Sequence, residues 1–377
     1  MDAVMIAGYN ALGLTLFRAL AQSDCNIVMS PVSIGVTVAM GLAGAAGATA
    51  DEMASTLGFD VARPALFAAN AELLRHYAGS SSPEAARVRL ANALVLTQHG
   101  EAVAQAYRDL LAGSFAAEIF TGDIARINQW VAQRTEGKIE RALDSLPQDD
   151  IAVLLNAIYF KAPWSRPFNP ASTFTTGFLR GYDKDEEKIE IKVNMMDGSG
   201  DWATASGPGY RAAWLPYKTA SLGMIVVLPD EYAGPASVLE SFDVAELARL
   251  RIELANAERS YVTLMLPRFH ARTQSSLRPP LEEAGMVLAF DWTRADFSRM
   301  TERPPAEISV AVTDVVHCAM IDVTEEGTEA AAATLKYFHI GGSGSPSFIV
   351  DRPFLFFIVD ETTGAILFQG KIVDPTA

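Results

Sequence analysis

The chain has 377 residues, half of them hydrophobic, with 30 basic and 45 acidic residues and a formal net charge of −15. This composition allows a sizeable hydrophobic core in one large domain or two. The acidic balance argues against nucleic acid or an anionic membrane as the main partner. Two cysteines, Cys25 and Cys318, are too few for a disulfide framework, and we expect both to be small buried thiols.

The amino-terminal segment predicts an amphipathic helix, because Leu12, Leu16 and Leu20 recur at helical spacing around Arg18. Asp2 stands where a signal peptide carries Lys or Arg. The given chain therefore predicts no signal peptide. The localisation stays open: extracellular if a leader was removed upstream, and otherwise cytoplasmic.

Residues 25–50 contain no charged side chain, a pattern that a membrane span shares with a buried helix. The small and hydroxyl residues of this stretch favour the buried helix. Ser30 and Pro31 supply a capping hydroxyl and a first-turn proline for a helix over residues 32–43. A second helix, over residues 49–57, is predicted to open with a capping box.

Beyond these helices the chain alternates between apolar strand patterns and shorter helical ones. Strands are predicted over residues 87–96, 152–161, 193–196, 214–217, 224–229, 264–269, 354–359 and 365–368. Helices are predicted over residues 65–77 and 281–285, and from 127 to near 137. The run 152–161 is apolar without alternation, so it should be a central strand covered on both faces.

No catalytic or metal-binding motif stands out. The sequence shows no Gly-x-Ser-x-Gly elbow, no HExxH helix and no clustered His or Cys ligands. A Ser/His/Asp set could be assembled from the five histidines only in space. We therefore expect a protein that is not an enzyme and that binds no metal or cofactor.

The stretch from residue 325 to residue 350 is neither a helical pattern nor a sheet core. Its first ten residues are small and suited to an extended chain, and residues 341–346 form a Gly/Ser/Pro loop. A linker between domains does not fit, because only the strands of residues 348–377 follow, and they are too few to fold alone. A long loop of this kind in a compact protein is usually functional.

Several motifs resemble the serpin family, in the family's order and over about residues 26–375. They are the runs 325–334, 26–34, 135–139 and 156–161, the tryptophan Trp164, and the carboxy-terminal runs 351–358 and 364–371. The resemblance implies one α+β serpin domain over residues 1–377, with about three β-sheets and about nine helices. It also implies an exposed reactive-centre loop over about residues 325–348.

The resemblance implies three groups of functional residues. The hinge of the loop comprises Glu325, Glu326, Gly327, Thr328, Glu329, Ala330, Ala331, Ala332, Ala333 and Thr334. A sheet-opening network comprises Ser30, Ser33, Asn156 and His317, in which His317 hydrogen-bonds to Asn156 across the opening sheet. Trp164 lies at the breach, where the sheet begins to open.

The side chains on one face of an extended hinge are small, which suits insertion into a sheet. In an extended chain Thr328, Ala330, Ala332 and Thr334 point to one face, and all four are small enough to enter a packed interior. Gly327 provides a flexible start to the moving segment.

Lys336 breaks this pattern, because it has the same parity as the small residues. An inward lysine is costly, so we expect its ammonium group to reach water near the lower end of the sheet.

The position of the reactive bond follows from the resemblance, which places it roughly fourteen residues after the hinge glycine. The bond is then Gly341-Gly342 or Ile340-Gly341. Neither bond offers Arg or Lys, so elastase-like or subtilisin-like proteases are the expected targets. Tyr337 and Phe338 leave a chymotrypsin-like cut open.

The resemblance thus implies a suicide-substrate inhibitor: a serine protease cleaves the loop and forms a covalent acyl-enzyme, and this complex is trapped when the freed loop inserts into the main sheet. We expect a monomer with a risk of loop–sheet polymers. No polyanion site is evident, since the helix at 65–77 offers only Arg75 and His76. The alternative is a non-inhibitory binding or carrier protein of the same fold.

Overall fold

The computed structural model describes residues 1–58, 63–78, 86–96, 103–144, 152–182, 187–231, 234–301, 311–328 and 346–377. The helices in these ranges are α1 (Ala3–Leu20), α2 (Pro31–Gly44), α3 (Gly47–Thr56), α4 (Arg63–Ala78), α5 (Gln105–Phe115), α6 (Ile124–Arg134), α7 (Pro235–Ser241), α8 (Val244–Asn256) and α9 (Arg278–Glu283). The described part therefore holds nine α-helices, in agreement with the about nine that the family resemblance implies.

Sixteen strands lie in the same ranges. They are β1 (Ile27–Met29), β2 (Arg87–Leu96), β3 (Ala117–Thr121), β4 (Ala152–Pro163), β5 (Phe174–Tyr182), β6 (Lys188–Asp197), β7 (Gly200–Gly207), β8 (Tyr210–Pro216), β9 (Leu222–Pro229), β10 (Ser260–Pro267), β11 (Phe269–Ser276), β12 (Val312–Thr324), β13 (Gly327–Thr328), β14 (Ser347–Ile349), β15 (Phe354–Asp360) and β16 (Ile366–Ile372). The predicted strand at 264–269 spans the junction of β10 and β11.

The described strands form two hydrogen-bonded sheets, where the sequence predicted about three. The first has six strands in the order β11-β12-β13-β4-β2-β3. The second runs β1-β16-β15-β9-β8-β7-β10-β6-β5, with β14 beside β10. Two groups of strands merge in it because the start of β10 pairs with β7 and its end pairs with β6.

Helix α2 is the centre of the hydrophobic core. All of its residues are buried, and Ser30 caps it by accepting a hydrogen bond from the Ser33 amide. Glycines let its neighbours come close: a Cβ atom at Gly35 would lie 2.2 Å from the Tyr9 ring, and one at Gly41 would lie 2.9 Å from Leu154. The charge-free stretch is therefore the buried helix that the sequence favours.

Helix α1 packs on α2 and begins at Asp2, whose carboxylate accepts hydrogen bonds from the amides of Val4 and Met5. Among the described helices it is the one that is long and apolar enough, by length and composition, to cross a membrane. However, 56% of its residues are buried inside the fold. It is thus largely buried in the core, as its amphipathic pattern predicts.

Two expectations from the sequence are wrong. Helix α3 begins at Gly47, so the predicted capping box lies inside the helix and caps nothing. Its residues contact another segment instead: Thr49 accepts a hydrogen bond from the Asp296 amide, and Glu52 accepts bonds from the amides of residues 287 and 288. Cys25 is exposed in the bend between α1 and β1, whereas Cys318 is buried as predicted.

Candidate functional site

The candidate site is the seam between β4 and β12, the two strands at the middle of the six-stranded sheet. The strands are parallel and pair directly from Ala152 to Ile158 on β4. Above this region they separate, and the two residues of β13 pair antiparallel with both of them. The seam is therefore closed over most of its length and already holds an added strand at its upper end.

A buried polar network crosses the closed part of the seam. His317 on β12 and Asn156 on β4 share a hydrogen bond of 2.8 Å between Nδ1 and Oδ1. The Ser30 amide donates to Nε2 of His317 at 3.1 Å. Because Nε2 accepts this bond, it carries no proton, and Nδ1 must be the donor to Asn156. Helix α2 thus fixes the tautomer of the histidine.

The amide nitrogen of Asn156 extends the network toward α2 and β2. It donates to Oδ1 of Asn92 at 2.9 Å, and it contacts the hydroxyl and carbonyl oxygens of Ser33. The Thr37 hydroxyl also lies within hydrogen-bonding distance of Oδ1 of Asn92, at 3.2 Å. The structure therefore brings together all four residues that the sequence assigned to this network.

Sequence reasoning missed Asn92 and Thr37, which are almost completely buried. The available signal was one polar residue within an apolar strand and one within an apolar helix. A buried amide in such a run needs a partner, and the partners lie on separate elements.

Burial lowers the pKa of His317 to about 3. The imidazole is therefore neutral at physiological pH, which agrees with the tautomer that the hydrogen bonds require. A second proton would turn Nε2 into a donor facing the Ser30 amide, which is also a donor. The network tolerates only the neutral ring.

Trp164 marks the upper end of the seam. Its indole Nε1 donates to the Thr324 carbonyl at 3.0 Å, and its backbone amide donates to the Glu326 carbonyl at 2.9 Å. The indole stacks on the Tyr217 ring with centroids 4.4 Å apart and an interplanar angle of 7°. Trp164 therefore ties the end of β12 and the start of the hinge to the end of β4.

The first hinge residues are fixed by sterics and by one hydrogen bond. Gly327 has φ +154°, and a Cβ atom there would lie 2.2 Å from the Ala162 carbonyl oxygen, so only glycine fits. Thr328 is completely buried, and its hydroxyl lies 2.8 Å from the Tyr217 hydroxyl. Thr328, the first of the four small residues predicted to share one face, thus already faces the interior.

Glu325 anchors the turn before the hinge. Both of its carboxylate oxygens accept bonds from Nε of Arg268, at 2.7 and 2.8 Å, and one accepts from the Thr173 hydroxyl. Burial acts to raise the pKa of Glu325, but the bonds from Arg268 and Thr173 outweigh it and leave the pKa lowered. Sequence reasoning missed Arg268, whose only signal was a charge between the adjoining strands β10 and β11.

The polar network at Asn156 and the close contact between Ala162 and Gly327 lie along the same strand, β4. Asn156 and Ala162 are six positions apart, a distance of roughly 20 Å along a strand. The predicted hinge residues 329–334 and the reactive-bond residues 340–342 lie outside the described ranges. Among the described residues, no group of three His, Cys, Asp or Glu side chains is placed to hold a metal ion.

Comparison with known proteins identifies the family. The family model described as "Serpin (serine protease inhibitor)" matches residues 7–375, so the chain belongs to the serpins. Iripin-8 of Ixodes ricinus is 31% identical, with 96% of this chain and 92% of that protein covered. Serpin B8 of Homo sapiens is 32% identical, with 96% and 97% covered.

The solved structure of human thyroxine-binding globulin complexed with thyroxine superposes with a TM-score of 0.87 at 26% identity, over the full length of both chains. The predicted serpin fold is therefore confirmed. Serpins are in general protease inhibitors rather than catalysts, and proteases are the usual partners of the family.

The buried neutral state of His317 predicts a specific pH dependence of stability. The unfolded chain binds a proton at its histidine below about pH 6.5, whereas the folded chain binds none until about pH 3. The contribution of His317 is therefore complete above pH 6.5 and is lost as the pH falls through this window, by about 1.4 kcal/mol per pH unit. His317→Gln removes both the hydrogen bonds and this titration.

We expect His317→Gln to lower the free energy of unfolding at pH 7 by roughly 1–3 kcal/mol. The difference from the wild type should shrink steadily between pH 6 and pH 4 in urea unfolding. His270→Gln, which removes an exposed histidine of the same sheet, is the control and should show neither effect. A difference between His317→Gln and wild type that stays constant with pH would contradict the neutral buried ring.

The two adjacent glutamates at the hinge should respond differently to the same substitution. Glu325→Gln removes the charge-assisted bonds to Arg268, and we expect it to cost roughly 1–3 kcal/mol in urea unfolding. Glu326→Gln should not lower stability, because one carboxylate oxygen of Glu326 is buried without a hydrogen-bond partner and a neutral amide is less costly to bury there than a charge. Equal effects of the two variants would show that the Arg268 pair is not what holds the turn.

Proposed function

We propose that this serpin is an inhibitor of serine-type endopeptidases that acts as a suicide substrate. The observation that carries the proposal is β13, where Gly327 and Thr328 already form strand pairs with both β4 and β12. After cleavage by a protease, the rest of the loop would continue this strand, and the acyl-enzyme would be carried to the far end of the sheet. Fourteen inserted residues at about 3.3 Å each correspond to a displacement on the order of 45 Å.

The register of β13 supports this path. Thr328 lies opposite Ala162 of β4 and Val323 of β12. If the strand continues without a bulge, Thr334 arrives between Asn156 and His317, the two residues that bond to each other across the closed seam. Its hydroxyl can both donate and accept, so it can replace the partner that each of them loses.

The other inward positions of the continued strand meet the packed core. Ala330 would lie between Phe160 and Ile321, and Ala332 would lie next to Ile158, and these three partners are buried. Side chains larger than methyl groups would overpack the interior at these positions. The small residues of the hinge would therefore fit between these partners if the strand continues in the register of Thr328.

For the target, the sequence supports an elastase-like or subtilisin-like protease. The expected bond is Ile340-Gly341 or Gly341-Gly342, and a small or aliphatic residue suits the pockets of these enzymes. We expect the inhibitor to act as a monomer.

A second candidate is a non-inhibitory carrier. The observation that favours it is the close superposition with thyroxine-binding globulin in its complex with thyroxine. A carrier would need no insertion of the whole loop, so the two candidates differ in whether the cleaved loop enters the sheet.

The deciding experiment is incubation with pancreatic elastase, subtilisin, chymotrypsin and trypsin, followed by a denaturing gel and mass spectrometry. We expect a complex that survives boiling and a released peptide that begins at Gly341 or Gly342. Ala332→Arg should abolish the complex and leave a cleaved substrate, because the arginine would have to enter the core. Glu329→Arg puts the same side chain on the opposite face, beside Lys161 and Asp322 in the same register, which are only half-buried, and it should keep the complex.

The pair of variants separates insertion from loop recognition. Loss of the complex in both variants would indicate that the protease rejects a modified loop. Cleavage of the wild type without a complex, and without a gain in thermal stability, would support the carrier.

Lys336 provides a separate test of the register. In the continued strand it would lie opposite Leu154 and Val315, which are both completely buried. We expect Lys336→Leu to stabilise the cleaved protein by roughly 1–3 kcal/mol in guanidinium unfolding, because it removes a charge that must otherwise reach water. The uncleaved variant should unfold like the wild type, and an equal shift in both forms would contradict insertion past Thr334.

A further inference from the structure

The upper half of β2 has an open edge. On one side β2 pairs with β4 along its whole length, from Arg87 to Leu96. On the other side β3 pairs with it only from Asn92 onward. Within the described ranges no strand covers Arg87 to Ala91 on that side. In an antiparallel ladder every second residue turns its backbone N–H and C=O away from the partner, so these groups point out of the sheet.

A cavity of about 710 Å³ lies against this edge. One wall is the end of α4, including Leu74 and Tyr77, and another includes Arg134 at the end of α6. At the bottom, Ala116 has φ 47° and turns the chain from α5 into β3. No described residue therefore fills the space directly in line with β3, over roughly 17 Å or five strand residues.

The charges around the slot are mainly basic. Arg87 makes no ion pair with any described residue and lines the cavity. Arg89 pairs with Glu136 at 2.9 Å, and Arg134 pairs with Glu118, with all four side chains at least 41% exposed. Exposed pairs contribute little to stability, so these arginines can exchange their partners for other carboxylates.

We propose that this slot binds an extended acidic segment of another protein, which adds to β2 as a further strand in line with β3. Such a segment satisfies both features of the slot, since its backbone pairs with the open edge and its carboxylates meet the arginines. A small anion would use only the arginines and leave the backbone groups of the edge without partners. The extended peptide is therefore the better fit.

The slot also touches the sheet-opening network. Asn92, at its lower end, lines the cavity and accepts the hydrogen bond from Asn156. A strand bound in the slot would end beside this residue. The proposal does not depend on protease inhibition, and its test measures binding directly.

The test uses the intact protein and a fluorescein-labelled heptapeptide of alternating valine and glutamate, with anisotropy measured at low salt. We expect saturable binding, and no binding of the matching valine–lysine heptapeptide. Arg87→Glu should weaken binding at least about tenfold, a change of about 1.4 kcal/mol. Arg272→Glu, which makes the same charge change at an exposed position on β11, is the control and should bind like the wild type.

Hydrogen exchange then distinguishes an added strand from a purely ionic contact. Binding of the peptide should protect amides within residues 87–91 against exchange. Protection must be lost at equal peptide concentration in Arg87→Glu, whose unchanged circular dichroism would exclude unfolding. Binding without protection of these amides, or no binding of the acidic peptide, would overturn the proposal.

Discussion

The hydrogen bond between His317 and Asn156 is the interaction on which the central sheet depends. The two strands that it joins are otherwise held by backbone pairing and by apolar side chains such as Leu154 and Val315. An apolar contact at this point would close the seam equally well, but it would provide no hydrogen-bonding group for an inserted strand. A polar pair is costly when unmatched, and it can be separated without loss only if a new partner arrives. The surrounding groups of Ser30 and Asn92 hold the pair in one orientation until then.

The upper end of the seam is fixed by a close steric contact and by hydrogen bonds to backbone carbonyl groups. Gly327 passes so close to the Ala162 carbonyl that no side chain fits, and Trp164 holds the adjoining carbonyl groups of Thr324 and Glu326. These constraints fix where the added strand begins and in which register. In the proposed insertion the strand would not have to search for its pairing, because its first two residues are already paired.

Much of this arrangement could be predicted from the sequence, because the local signals were strong. Strand β4 is apolar without alternation, and the cap at Ser30 sits next to a first-turn proline. The errors concern residues whose role is decided by distant segments. The predicted capping box at Thr49 serves the segment near Asp296, and β10 joins two groups of strands through its two ends. Arg268 is ordinary in sequence and becomes important only because Glu325 folds beside it.

Family membership alone leaves inhibition and ligand binding as alternatives, since the fold is shared by thyroxine-binding globulin. Two features that were obtained independently favour inhibition. The small size of Thr328, Ala330, Ala332 and Thr334 is a property of the sequence and contains no information about the partners on β4 and β12. The register of Thr328 is a property of the structure and contains no information about residues further along the loop. If the strand continues as proposed, the two features together would bring Thr334 to the polar pair of Asn156 and His317. A carrier would not need a hydroxyl group at this position, whereas a sheet that opens and accepts a new strand needs one to replace the hydrogen bond between Asn156 and His317.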